Sequence, residues 1–180
     1  MPKLKNKDIY LIINKEFVKC KDFIANVMGY KTVEDTELII FYDKYPIEGY
    51  KYPIEGWAIA EEREVAIVVP NLLSRNTFYI DYIIGHELGH ILAYDNGCKG
   101  NTEGIAEVVG SYVLYSFSGS KAIKEDVIKN LAKISADRKI DREVRQEILR
   151  TEKELRAYDG DVLDFIKTMI IRKQIEDTKR

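Results

Sequence analysis

The chain has 180 residues, a formal net charge of −2, 46% hydrophobic residues and 32% charged residues. This balance is that of an ordinary globular domain and excludes a disordered chain, so we expect one domain over residues 1–180. The charge gives no general attraction to nucleic acid or anionic lipid, and we expect neither as a partner.

No segment predicts export or membrane insertion. The N-terminal apolar run "IYLII" is short and is followed at once by Asn, Lys and Glu, unlike a signal peptide. The other apolar runs fall far below the roughly 18 residues that cross a bilayer. Cys20 and Cys98 could form only one disulfide, and we expect both to be free thiols. We therefore expect a cytoplasmic protein.

The first 70 residues carry all the strand patterns. Apolar positions at helical spacing predict a helix over residues 7–28, ending before Gly29. Three strands are predicted next, in "ELIIFY", "GWAIA" and "EVAIVVP", with "EERE" turning between the last two.

The rest of the chain is predicted to be helical. One helix runs from Thr77 to about Tyr94 with Asn76 as its N-cap, and a second runs from Asn101 or Thr102 to about Phe117, before the "SGS" break. Three amphipathic helices follow from Lys121. The predicted class is α+β, with helices dominating.

A short duplication separates the first two strands. Tyr-Pro-Ile-Glu-Gly occurs twice in "YPIEGYKYPIEGW", seven residues apart, which is too few copies for a solenoid. Pro46, Gly49, Pro53 and Gly56 indicate a loop. The duplication is either a tolerated feature of a surface loop or a binding loop whose tyrosines make the contacts.

Both histidines of the chain lie in His86-Glu87-Leu88-Gly89-His90. Residues four apart share one face of a helix, so both imidazoles can bind one cation while Glu87 projects beside a metal-bound water. Two nitrogen ligands suit zinc. Chance would give this spacing with a Glu in place about once in a thousand such chains, so the motif indicates a Zn²⁺ site.

The third ligand must be a carboxylate or a thiolate, because no other histidine exists. The metzincin pattern is excluded, since Ala93 and Asn96 stand where it needs Gly and His.

Glu103 and Glu107 lie four apart on the next predicted helix, in an apolar context. One can bind the metal while the other accepts the ring N–H of a ligating histidine. Cys98 and Asp95 remain alternative ligands.

These motifs resemble the gluzincin metallopeptidases, in which a Glu on a second helix follows His-Glu-x-x-His. "TEGIAEVVGSY" is similar to the second motif of that family, and the resemblance implies that Glu103 binds zinc and that Glu107 contacts the first histidine. The short connector and small size are closest to the minigluzincin type. The resemblance implies a zincin-like catalytic core over residues 1–118, followed by a helical extension over residues 119–180.

The expected reaction is hydrolysis of flexible or unfolded peptide segments. Zinc would lower the pKa of its water toward about 7, and Glu87 would take the proton and deliver it to the leaving amine. Tyr94, Tyr112 and Tyr115 are candidate oxyanion donors. A sheet edge within "GWAIA" or "VAIVVP" would pair with the peptide backbone.

Two alternatives remain open at this point. The domain could be a non-catalytic or latent zincin-like module of the phage, plasmid or archaeal kind that acts in anti-restriction or repressor control. The C-terminal helices could pack on the core, form a homodimer interface or cover the cleft as a lid, with Asp159, Asp161 or Asp164 at the open zinc position.

Overall fold

The computed structural model describes residues 6–42, 55–72 and 77–179, and this part of the chain is α+β and mostly helical. The predicted class is thus confirmed in its coarse form. Helix α1 is followed by a π-helical turn and a 3₁₀ turn, then by three strands and six more helices. The bounds are α1 Asn6–Asp22, π turn Phe23–Val27, 3₁₀ turn Lys31–Asp35, β1 Glu37–Phe41, β2 Gly56–Ile59, β3 Glu64–Val68, α2 Val69–Leu72, α3 Thr77–Asp95, α4 Glu103–Phe117, α5 Ile123–Ala136, α6 Arg142–Ala157 and α7 Val162–Thr178.

Most predicted elements lie where the patterns place them, with local differences. The predicted helix over 7–28 changes to π-helical winding in its last turn, and the segment "VAIVVP" leaves the sheet at Val69, where α2 begins. Asn76 and most of the duplicated loop lie outside the described residues. No helix in the described part of the chain has the length and apolar character needed to cross a membrane.

The sheet has the order β1-β3-β2, with β1 parallel and β2 antiparallel to β3. Strand β3 is therefore central, and the prediction that "VAIVVP" could be an edge is wrong because both of its sides are paired. Residues along an antiparallel strand alternate between pointing their N–H and C=O groups toward the partner strand and away from it. The hydrogen bond from Val68 N–H to Glu55 O shows that Glu55 points toward β3. In this register the N–H and C=O groups of Gly56 and Ala58 point away from β3, toward the open edge of β2.

Helices α3 and α4 touch through small residues. A Cβ atom added at Gly89 would lie 2.8 Å from Ala106 Cα, and one added at Gly110 would lie 2.8 Å from the carbonyl oxygen of Tyr82. Only glycine allows this approach, because a side chain at either position would meet backbone atoms. The close contact lets short side chains on the two helices reach one another.

The C-terminal helices belong to the same hydrophobic core. Helices α5, α6 and α7 all contact α4. They contribute buried side chains to one cluster shared with α3 and α4, among them Val127, Leu131, Ile148, Leu155, Phe165 and Ile166. The structure therefore uses these helices as core elements.

Helix α7 also holds the connector between α3 and α4. The Cys98 thiol donates to Ile170 O at 3.6 Å, the Lys99 N–H donates to Asp177 Oδ2 at 2.6 Å, and Gln174 Nε2 donates to Asn96 O. Both cysteines are free and buried, as the sequence predicts.

Candidate metal centre

Helix α3 presents the two histidines of the chain to α4 from successive turns of one face. Their Nε2 atoms are 3.2 Å apart. Glu103, in the first turn of α4, approaches both: its Oε2 is 3.7 Å from His86 Nε2, and its Oε1 is 3.8 Å from His90 Nε2. Tetrahedral zinc with bonds of about 2.0–2.1 Å holds its ligand atoms ~3.3–3.4 Å apart. The Nε2–Nε2 distance is close to that spacing, and the two longer distances, which involve different oxygens of Glu103, are within about 0.5 Å of it, so these three side chains could hold a metal ion.

Both histidines are neutral at pH 7. Burial lowers the pKa of His86 to about 4, and burial together with neighbouring His86 lowers the pKa of His90 to about 3. His90 Nδ1 lies 2.7 Å from the Thr102 hydroxyl oxygen. When Nδ1 donates to this oxygen, the lone pair is on Nε2, where a metal can accept it.

Three carboxyl groups surround the histidines: Glu87 and Glu107 are buried, whereas the Glu103 side chain is 31% exposed. The pKa of Glu87 is raised to about 8, mainly by burial and then by the charges of Glu103 and Glu107. A hydrogen bond from the Ala58 backbone N–H lowers this pKa in part. Burial followed by the charge of Glu107 raises the pKa of Glu103 to about 7, and burial raises that of Glu107 to about 7. Within residues 6–42, 55–72 and 77–179, no Lys or Arg pairs with Glu103 or Glu107, and their basic neighbours are the neutral histidines. Such a concentration of carboxyl groups without a charged basic partner favours a bound cation.

Glu107 occupies a different position from Glu103. Its Oε1 lies 3.6 Å from His86 Nδ1, on the side of the ring away from His90. Its Oε2 accepts a hydrogen bond from the Tyr82 hydroxyl at 2.5 Å. Glu103 therefore faces both Nε2 atoms, whereas Glu107 faces Nδ1 of His86.

The other two candidate ligands face elsewhere. Asp95 Oδ1 is paired with Arg63 Nη2 at 2.8 Å. Cys98 contacts α7 through its thiol, whose pKa burial raises to about 11. Neither belongs to the groups of described residues whose ligand atoms converge closely enough to hold a metal, which are His86, Glu87 and His90, and His86, Glu103 and Glu107.

The site opens into a cleft of about 960 Å³. Strand β2 forms one wall from Gly56 to Ile59, and the histidine-bearing turns of α3 with the connector over 98–103 form the other. Glu87 lies between the walls and meets the outward-facing backbone of Ala58. The cleft therefore places an edge strand beside the metal-binding group.

Of the three candidate tyrosines, only Tyr94 lines this cleft. Tyr112 instead packs against the Phe23 ring at 5.7 Å between centroids, and Tyr115 packs against the hydrophobic core. Tyr112 therefore lies beside Phe23 of the π turn and Tyr115 lies near Asp126 of α5, and neither lines the cleft.

The proposed occupation of the zinc position by a C-terminal carboxylate is also wrong. Asp161 caps α7 by accepting from the Asp164 N–H at 2.8 Å, and Asp164 pairs with Lys167 at 3.3 Å. Asp159 lies in the same turn, and none of the three aspartates lines the cleft. Their short-range roles at a helix start hold them away from the histidines.

Three contacts at the site escape sequence reasoning: the Tyr82 hydroxyl, the Thr102 hydroxyl and the Ala58 backbone. Tyr82 stands one helical turn before His86, and Thr102 directly precedes Glu103, so spacing alone could have singled out both. The role of Ala58 depends on strand pairing, which no local pattern encodes.

Comparison with known proteins adds no assignment. No family model matches the chain, and neither curated proteins nor solved structures gave a match.

Proposed function

We propose that the protein is a zincin-like zinc peptidase that hydrolyses flexible or extended peptide segments. His86, His90 and Glu103 bind Zn²⁺, and Glu87 is the general base. The observation that carries this proposal is the position of Glu87, which groups with the two histidines and also meets the edge strand of the cleft.

Zinc held by these three side chains supplies a Lewis acid and a bound water whose pKa is near about 7. The chain itself supplies the other requirements. Both imidazoles are neutral, and the two oxygens of Glu103 each face one Nε2 atom. No histidine needs to lose a proton before it can bind.

Glu87 has the properties of a group that moves a proton. In the metal-free protein burial and the charges of Glu103 and Glu107 raise its pKa to about 8, and a bound cation would lower this pKa toward the ionised form that a general base needs. The hydrogen bond from Ala58 N–H holds the carboxylate against β2. Glu87 therefore stands where a peptide lying along β2 would present its scissile bond.

Strand β2 explains the expected preference for extended substrates. In the described part of the chain no further strand pairs with its outer edge, where the Gly56 N–H and C=O groups and the Ala58 C=O group face outward, while the Ala58 N–H donates to Glu87. Pairing of this kind requires an extended segment, which unfolded chains and flexible loops provide. We therefore assign the substrate class as peptide or unfolded protein.

The test is Glu87→Gln, measured for zinc content and for hydrolysis of an unfolded protein and a peptide library. The variant keeps the shape of the side chain and removes the base, so we expect full zinc content and a rate lower by about a hundredfold or more. Glu125→Gln, an exposed change on α5, is the matched control and should leave both unchanged.

If wild-type protein binds zinc and hydrolyses none of these substrates, the peptidase assignment is wrong. The regulatory-module alternative would then account for the site.

A further inference from the structure

The contact between α3 and α4 carries polar groups beyond the metal-binding set at both of its ends. At one end Tyr82, one turn before His86, donates to Glu107 Oε2 at 2.5 Å. At the other end Thr102, directly before Glu103, lies 2.7 Å from His90 Nδ1 through its hydroxyl oxygen. His90 thus has a hydrogen-bond partner on the side away from the metal position, whereas His86 has only the nearby carboxyl group of Glu107, at 3.6 Å.

The two ring nitrogens of a histidine have different tasks in such a site. Binding of a metal through Nε2 requires the proton to be on Nδ1, and the partner of Nδ1 decides where the proton lies. The Thr102 hydroxyl oxygen can accept a hydrogen bond from His90 Nδ1–H directly. His86 Nδ1 is buried without a hydrogen-bond partner, and the nearest acceptor is Glu107 Oε1 at 3.6 Å.

Tyr82 fixes the orientation of that acceptor. Its side chain is buried, its ring packs against Tyr79 at 5.4 Å between centroids, and burial raises the pKa of its hydroxyl well above the usual value. It therefore remains a hydrogen-bond donor at neutral pH. With one oxygen of Glu107 held by Tyr82, the other oxygen faces His86.

We propose that Tyr82 and Thr102 are positioning residues that hold His86 and His90 as Nδ1–H tautomers with both Nε2 atoms directed at the metal. Tyr82 acts through Glu107, whereas Thr102 acts on His90 directly. The inference rests on the proposed zinc site, and it adds two residues that the His-Glu-x-x-His motif does not contain. Because Thr102 precedes Glu103, the start of α4 supplies a ligand and a positioning group together.

The metal-free protein offers a direct test, because the chain has only two histidines. Long-range ¹H–¹⁵N correlation spectra distinguish the two tautomers of each ring. The two Nε2 atoms are 3.2 Å apart, and without a metal one ring can place its proton between them. We expect His90, whose Nδ1 faces the Thr102 hydroxyl, to carry its proton on Nδ1. Thr102→Val should convert His90 to a tautomer mixture, whereas the role of Tyr82 is tested by zinc affinity.

Zinc affinity gives the second measurement, by competition with a chelator. Loss of an outer partner of a ligating histidine weakens metal binding by about 10–100-fold, which we expect for Tyr82→Phe and for Thr102→Val. Thr102→Ser keeps the hydroxyl and should restore the affinity. Tyr79→Phe removes a neighbouring phenol hydroxyl that bonds Glu55 instead and should bind zinc as the wild type does.

The proposal is overturned if His90 of the metal-free wild type carries its proton on Nε2, or if folded Tyr82→Phe and Thr102→Val bind zinc with unchanged affinity. If Tyr82→Phe fails to fold, the wild-type spectrum and the two variants Thr102→Val and Thr102→Ser still test the proposal. If the wild type binds no zinc, the proposed function fails, while the tautomer spectra still judge the positioning role of Thr102.

Discussion

The close approach of α3 and α4 predicts a specific effect of Gly89→Ala. The new Cβ atom would lie 2.8 Å from Ala106 Cα and 3.1 Å from Val109 Cβ. Carbon atoms in good contact are about 3.5–4.0 Å apart, so the two helices must separate by roughly 0.5–1 Å. The shift falls between the helix that carries the histidines and the helix that carries Glu103.

Two opposing effects set the change in stability. Alanine is favoured over glycine within a helix by about 1 kcal/mol, whereas overpacking costs about 1–3 kcal/mol. We therefore expect the free energy of unfolding to fall by up to about 2 kcal/mol. Metal binding should suffer more, because His86 Nε2 and Glu103 Oε2 are already 3.7 Å apart and further separation exceeds tetrahedral spacing. We expect zinc affinity to fall at least about tenfold, since ligand positions must hold within about 0.5 Å.

The assay combines urea denaturation of the metal-free protein with chelator competition for zinc. Gly85→Ala is the graded control, because its nearest atoms are in the Val113 side chain at 3.0 Å and 3.1 Å and the nearest backbone atom, Gly110 Cα, is farther away at 3.2 Å. It should give a smaller loss in both measurements. A Gly89→Ala protein that is more stable than wild type by about 1 kcal/mol, with wild-type zinc affinity, would refute the reasoning.

Three further predictions follow from single contacts. Ala58→Pro should keep the fold, because the Ala58 N–H does not pair with β3. It should slow peptide hydrolysis about tenfold or more, because it removes the hydrogen-bond donor to the Glu87 carboxylate. Ile59→Pro, whose N–H faces β3 in the same register, should disrupt the sheet, and equal circular dichroism losses in both variants would contradict the register. Burial raises the pKa of Asp81 from 3.8 to about 6, so its carboxyl group binds a proton more tightly when folded, and the free energy of unfolding should fall as pH rises through this range. Asp81→Asn should flatten that slope in urea denaturation, and an unchanged slope would contradict the assignment. Zinc at 100 times its Kd should raise the free energy of unfolding by about 2.7 kcal/mol. Most of this gain should be lost in Glu103→Ala. A thermal unfolding midpoint that does not change when zinc is added would contradict the site.

The sequence was sufficient for features that depend on local spacing. The helix of His86 and His90 and the helix of Glu103 are amphipathic or apolar over several turns, so their existence and approximate bounds follow from periodicity. The convergence of the three side chains follows from the motif spacing together with a short connector. These properties depend on residues that are close in sequence, and several turns of each helix carry the same apolar pattern.

Features that depend on long-range packing were not predictable in the same way. The order of the sheet places β3 in the centre, and no pattern in "VAIVVP" distinguishes a central strand from an edge strand of similar composition. The partners of Tyr82 and Thr102 depend on how closely α3 and α4 approach. The cap role of Asp161, in contrast, had a local signal, since it is an aspartate directly before a helical apolar pattern.

Helix α7 contacts the connector between α3 and α4, which lines the candidate metal centre. It does not cover the cleft as a lid. Asp177 and Gln174 bond the backbone of the connector, and Ile170 O accepts from Cys98 within it. The same connector ends at Thr102, whose hydroxyl meets His90. Because buried Phe165 anchors α7 in the core, a change that loosens this helix would reach the histidines through backbone displacement. Helix α7 therefore holds the connector, and with it one wall of the cleft, in place.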